Sequence, residues 1–124
     1  MSTSVTAPLR IVVVDNDPSA LELVVLDLGL EGHDVVGQGR TGADAQRLTR
    51  ELVPDVLVVD HRMPPGLTGA EVAASVARDQ PTVRVIVYTN YQDHAIVDAV
   101  ERSGASYVPK GNLRTLRDAV VGER

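Results

Sequence analysis

Four residues suited to phosphoryl or cation chemistry stand at the ends of apolar runs. Asp15 closes "RIVVVD", Asp60 closes "DVLVVD", Thr89 closes "VRVIVYT" and Lys110 closes "SYVPK". Each type suits one job. A hard divalent cation such as Mg²⁺ takes oxygen ligands, often one or two carboxylates completed by water and phosphate. A phosphoryl group in transfer spreads negative charge over its oxygens and needs cations and donors around it, which a lysine and a hydroxyl supply. A carboxylate such as Asp60 can act as the nucleophile, forming an acyl phosphate. Taken singly, each residue has a structural reading: an aspartate at a strand end is common turn chemistry. Asp17 followed by Pro18 has the form of a helix N-cap with proline at the first helical position. Four such residues on successive strands weigh toward function.

Residues this far apart in sequence meet only if the strands carrying them lie side by side. Short apolar runs alternate with helical patterns along the chain. "RIVVVD" leads into "PSALELVVLDLGL", where Leu21, Val24, Val25 and Leu28 fall at helical spacing, and "DVVG" reads as a short second strand. "TGADAQRLTREL" is amphipathic, with Ala45, Leu48 and Leu52 on one side, and "DVLVVD" is the third strand. The loop "HRMPPGLTG" precedes the helix "AEVAASVARD", where Thr68 and Glu71 have capping-box spacing. "VRVIVYT", the helix "QDHAIVDAVERSG" ended by Gly104, "SYVPK" and "NLRTLRDAVV" complete the order.

Alternation of strand and helix, with strands apolar on both faces, predicts an α/β fold whose parallel sheet is covered by helices on each side. Pro109 lies inside the fifth strand, and proline is tolerated essentially only at a sheet edge. A doubly wound five-stranded sheet of order 2-1-3-4-5 with five helices puts that strand at an edge. Ligands bind such sheets at the carboxyl rim, where the strand order reverses. Here that crevice falls between Asp15 and Asp60, and Thr89 and Lys110 belong to the same rim.

Composition excludes several classes. The chain of 124 residues carries a net charge of −5, with 44% hydrophobic and 23% charged residues, which reads as one soluble globular domain. It has no cysteine, so disulfides, thiolate metal sites and cysteine nucleophiles are excluded. It has no basic stripe and only three aromatic residues, Tyr88, Tyr91 and Tyr107, which argues against direct nucleic-acid binding. No apolar run has membrane-spanning length, and "MSTSVTAP" reads as a polar tail rather than a signal peptide, so a cytoplasmic location is expected. His33, His61 and His94 do not have metal-ligand spacing and read as surface or loop residues, with His61 placed beside Asp60.

The chain from Leu9 to Val121 resembles the receiver domain of two-component response regulators, most specifically in "PDVLVVDHRMPPGLTGAE" and "GASYVPKG". The resemblance implies a flavodoxin-like fold, with Asp60 as phosphoacceptor for a histidine kinase and Asp15 as first member of an acidic pair that binds Mg²⁺. It implies phosphoryl contacts from Thr89 and Lys110, a backbone carbonyl ligand from Arg62, and Tyr107 as an aromatic switch that turns inward. The switching surface would be the fourth and fifth helices with the edge strand between them. Departures stand beside these matches. The second acidic position is Asn16, able to serve the metal only weakly or through water. Asn90 replaces a small residue, and the Met-Pro loop is one residue longer than usual.

Two alternatives remain open from the residues. One is a receiver-like interaction module that never accepts phosphate, because Asn16 weakens the metal site. The other is a haloacid-dehalogenase-like phosphatase with Asp15 as nucleophile, Asp17 as general acid, and Thr89 and Lys110 in its later motifs. That reading lacks an acidic motif after Lys110 and leaves Asp60 without a role. The expected organisation is a flexible tail over 1–8, a receiver domain over 9–121 and a C-terminal end over 122–124. Implied partners are a histidine kinase and a downstream effector or output domain, with transcription regulation as one destination. No membrane is implied, and a homodimer is left open.

Overall fold

The computed structural model describes residues 7–122. The expected tail over 1–8 lies outside these residues except for exposed Ala7 and Pro8, as does the 122–124 end except for Gly122. The elements run β1 (Arg10–Val14), α1 (Pro18–Leu30), β2 (Asp34–Gly39), α2 (Gly42–Leu52), β3 (Val56–Val59), α3 (Gly69–Asp79), β4 (Arg84–Thr89), α4 (His94–Arg102), β5 (Ser106–Pro109) and α5 (Leu113–Val121). The sheet order is β2-β1-β3-β4-β5 and all four pairings are parallel. Pro109 is therefore on an edge strand, where its missing N–H leaves no gap in a ladder.

Successive side chains of a strand point to opposite faces, so valine-rich strands feed two cores at once. Val12, Val14, Leu57, Val59, Val85 and Val87 pack with Ala45 of α2, Val72 and Val76 of α3 and Val100 of α4. Ile11, Val13, Val56, Val58, Ile86 and Val108 pack on the other face with Leu21, Val24 and Leu28 of α1 and Leu116 and Val120 of α5. Tyr88 belongs to this second core and is buried, whereas Tyr107 packs against the first.

Local chemistry fixes the helix starts that matter for the rim. Asp17 accepts a hydrogen bond from Ser19 N and Pro18 opens α1, as the sequence predicts. Thr68 and Glu71 form the expected capping box on α3, each side chain taking the other residue's N–H. α4 begins at His94 rather than Gln92, and Asp93 at its N-cap makes no side-chain cap bond. The second strand is longer than "DVVG". Its register shifts against β1 between Ile11 and Val12, then pairing continues to Val14 and Gly39. The glycines that make this segment look like a turn serve packing instead. A Cβ on Gly39 would lie 2.6 Å from Asp44 Cβ, and one on Gly37 2.8 Å from Leu52 Cδ1. Among the described residues no helix is long and apolar enough to cross a membrane.

Candidate functional site

The ladder continues one residue past the strands, and this aligns the rim. Asp15 N donates to Gly39 O at 3.1 Å, Asp60 N to Val14 O at 3.0 Å and Lys110 N to Thr89 O at 2.9 Å. Since Val14 pairs with Val59, Asp15 and Asp60 stand side by side at the crevice between β1 and β3. Lys110, carried in just beyond β5, reaches both: its Nζ lies 2.7 Å from Asp15 Oδ2 and 3.1 Å from Asp60 Oδ2. All three side chains are largely withdrawn from water, at 12% exposure for Lys110, 5% for Asp15 and 11% for Asp60. Solvent screening is therefore weak and the ion pairs carry energy.

The remaining carboxylate oxygens are held by the main chain. Asp15 Oδ1 accepts from Asp17 N at 2.9 Å, and Asp60 Oδ1 accepts from His61 N at 2.7 Å. Each acid thus has one oxygen fixed by its own loop and one turned to the shared ammonium. Burial pushes the Asp15 carboxyl above its ordinary range, and the Asp60 charge adds to this, against the pull of Lys110 and the Asp17 N–H. Burial works to lower the Lys110 pKa, but its contacts with Asp15 and Asp60 outweigh burial and raise it. The His61 imidazole is held below its ordinary value, first by burial.

The other expected residues lie around this cluster without joining it. Thr89 is fully buried at the end of β4, where its Oγ1 accepts from Tyr91 N at 3.3 Å. The Asn16 side chain is exposed, and its main-chain carbonyl is taken by Arg40. The Arg62 guanidinium sits 5.2 Å from the centre of the Tyr91 ring, a cation–π stack that joins the β3–α3 and β4–α4 loops. Tyr107 donates its hydroxyl to Tyr91 O at 2.8 Å while its ring packs on the α2–α4 side of the sheet. Asn90 is exposed. Asp17 is engaged as the cap of α1, which leaves it poorly disposed to act as the general acid of a phosphatase.

Sequence reasoning missed two contributors, Gly69 and Arg40. Gly69 N donates to His61 O at 2.8 Å, and a Cβ on Gly69 would lie 2.5 Å from the Asp60 carbonyl oxygen and 2.9 Å from His61 Cα. Only glycine lets α3 begin this close to the Asp60 backbone. The glycine two residues before "EV" marks the place, but its neighbour is not visible in a linear pattern. His61, in the loop after β3 as expected, is half-buried, with its Nδ1 accepting from Ala70 N at 3.4 Å. His33 is likewise half-buried, its Nδ1 taking the Leu9 N–H at 3.2 Å. Arg40, after β2, is the second.

The donor set bears on the metal expected from the resemblance. Among the described residues no three His, Cys, Asp or Glu side chains group as a metal cage. Two carboxylates do converge, Asp15 and Asp60, and a cation already lies between them in the form of the Lys110 ammonium. Two carboxylate groups suit a hard cation that keeps several waters, as Mg²⁺ does. The residues fit the ion in kind, with less charge than three acids would bring.

Comparison with known proteins agrees with this fold. The sequence family described as the response regulator receiver domain matches residues 11–121, from within β1 to the end of α5. NarL of Mycobacterium tuberculosis, named a transcriptional regulatory protein, is 38% identical over 117 residues, covering 93% of this chain and 54% of NarL. The response regulator GacA of Pseudomonas aeruginosa is 32% identical over 120 residues, covering 92% of this chain and 56% of GacA. The chain thus spans about half the length of these curated relatives. Among solved structures, the signal receiver domain of M. tuberculosis NarL superposes with a TM-score of 0.85 at 34% identity, covering 94% of this chain and 98% of that one. The family match and the superposition both extend over nearly the whole length, and the chain belongs to the receiver domain family of response regulators.

Proposed function

We propose that this receiver accepts a phosphoryl group on Asp60 from a histidine kinase and thereby switches the surface formed by α4, β5 and α5. One observation carries the reading: a buried lysine ammonium rests on one oxygen each of Asp15 and Asp60, while the main chain holds the other two oxygens. In the transfer a carboxylate oxygen of Asp60 bonds to phosphorus as the P–N bond of a phosphohistidine breaks. The imidazole leaves with the bonding pair and takes up a proton. Lys110 and the Thr89 hydroxyl receive the added charge, and Tyr107 follows by turning further toward the core. Mg²⁺, when bound by Asp15, Asp60 and the Arg62 carbonyl, with Asn16 contributing weakly or through water, neutralises charge on the phosphoryl oxygens.

The domain is taken as 9–121, flanked by a tail over 1–8 and an end over 122–124. It is a switch and not a turnover enzyme, apart from slow loss of its own phosphate, and it acts in the cytoplasm. Its partners are the kinase and an effector or output domain. It makes no direct contact with nucleic acid or membrane. The names of its relatives support a destination in transcription. A homodimer is compatible with the same surface.

The test is intact mass after incubation with Mg²⁺ and a small-molecule phosphodonor, beside Asp60→Asn and Asn16→Asp. A gain of one phosphoryl group that Asp60→Asn abolishes is the expected result. No gain by the wild type, even from a kinase, would leave a binding module in which Lys110 permanently neutralises the two acids. A gain only in Asn16→Asp would assign that loss to Asn16.

A further inference from the structure

We infer that Arg40 is a positioning residue for the acidic turn: it holds the main chain between Asp15 and Asp17, so that Asp15 faces a divalent cation although Asn16 brings no charge. The inference rests on the Mg²⁺-dependent reading above. Asp15 is fixed at its amide by Gly39 O and at Oδ1 by Asp17 N. Asn16 lies between those two anchors, and its carbonyl is the point through which the turn is held from outside. Arg40 donates to it twice, from Nε at 3.0 Å and from Nη2 at 2.8 Å. The Asn16 side chain takes part in no hydrogen bond among the described residues, so the grip on this residue is through the carbonyl. Arg40 is itself anchored, its N–H donating at 2.9 Å to Asp44 Oδ2 in the first turn of α2. This N–H is also the main reason the Asp44 carboxyl lies below its ordinary range. The side chain therefore reaches from the start of α2 across the end of β2 to the turn that presents Asp15.

A planar guanidinium can place two donors on one carbonyl, whereas a lysine ammonium is a compact charge on a flexible stem. Groups that orient metal ligands from behind are worth about 10- to 100-fold in metal affinity. Charge acting alone predicts the opposite direction. Arg40 is a cation near a cation site, and its removal would tighten Mg²⁺ binding through lost repulsion. The sign of the change separates positioning from simple electrostatics.

The experiment is calorimetric titration of MgCl₂ into the full chain, for wild type, Arg40→Ala and Arg40→Lys, with thermal melts of each in EDTA. Arg40→Ala is expected to weaken binding about tenfold. Arg40→Lys should recover only part of the loss, with melts close to wild type because the side chain is exposed. Binding by Arg40→Ala that is unchanged or tighter would overturn the inference. So would wild-type affinity in Arg40→Lys, which would show that the two-donor grip on the Asn16 carbonyl is not needed, and this comparison decides the matter if the alanine variant folds poorly. A wild type that takes up no Mg²⁺ would defeat both the inference and the reading beneath it. Normal wild-type binding and phosphorylation with indifferent Arg40 variants would defeat the inference alone.

Discussion

Replacing Lys110 with methionine tests whether the ammonium holds the rim together. The substitution keeps an apolar stem of similar reach and removes the charge that lies 2.7 Å from Asp15 and 3.1 Å from Asp60. At an effective dielectric near 20, unit charges about 3 Å apart attract by roughly 5 to 6 kcal/mol. Desolvation takes back part of this, and breaking a buried pair from one side typically costs about 3 to 5 kcal/mol. Here the loss leaves two carboxylates facing each other, and the relief open to the protein is to protonate Asp15, whose pKa is already raised. An acid with a raised folded pKa contributes its full stability below its unfolded value, which is 3.8 for Asp15, and loses it as pH rises through the folded pKa. Removing Lys110 raises that folded pKa further, so the variant should lose stability more steeply than wild type from pH 4 to 7. We expect a deficit of about 3 kcal/mol at pH 7 that shrinks toward pH 4, read from urea unfolding at a series of pH values. Parallel curves, or a deficit at pH 7 under about 1 kcal/mol, the range of an exposed pair, would refute the reasoning.

Two further substitutions bear on the same rim and its supports, and a third on α2. Asp15→Asn removes a buried charge whose ionised form is disfavoured in the fold, so at pH 7 its melting temperature should equal or exceed that of wild type. On the proposed Mg²⁺ reading, the ion should raise the melting temperature of wild type and leave that of this variant unchanged. Gly69→Ala forces a Cβ to within 2.5 Å of the Asp60 carbonyl oxygen, where backbone must shift. A loss of about 1 to 3 kcal/mol is expected in denaturant titration, with slower phosphoryl uptake measured by mass. Thr49 is fully buried, and its Oγ1 has no hydrogen-bond partner among the described residues. Thr49→Val should therefore leave stability unchanged or raise it by up to about 1 kcal/mol in the same titration.

The parts of the site that were legible in the sequence are those that sit on strand ends. Asp15, Asp60, Thr89 and Lys110 each close an apolar run, and strand topology alone brings such residues to one rim. The edge position of β5 followed from a single proline. What escaped notice depends on contacts that sequence spacing does not encode. Arg40 serves a backbone carbonyl 24 residues away, and any exposed arginine looks the same in a linear pattern. The expected second strand stopped at Gly37 although β2 runs on to Gly39, because a glycine that admits a helix resembles a glycine that makes a turn. Tyr88 and Tyr107 are close in the sheet yet on opposite faces, and only the β4–β5 register, with Tyr88 opposite Val108, decides that.

On the proposed reading, the arrangement gives a change of charge at Asp60 two ways to reach the edge of the sheet. Lys110 is shared between two acids, so added charge on Asp60 alters the balance of one ammonium already under tension from both sides. The lysine follows Pro109 directly, and its N–H is bonded to Thr89 O, the carbonyl of the residue that offers the rim hydroxyl. β5 is paired on one side only, and displacement of an edge strand disturbs one ladder rather than two. Tyr107, three residues upstream, is tied through its hydroxyl to Tyr91 O, and the Tyr91 ring is covered by Arg62 from the loop that follows Asp60. Two routes therefore lead from Asp60 to the same tyrosine pair, one through Lys110 along β5 and one through Arg62 across the rim. A receiver wired this way would respond to charge at Asp60 even with a weakly held metal, because the lysine and the loop, both covalently part of the chain, carry the change outward.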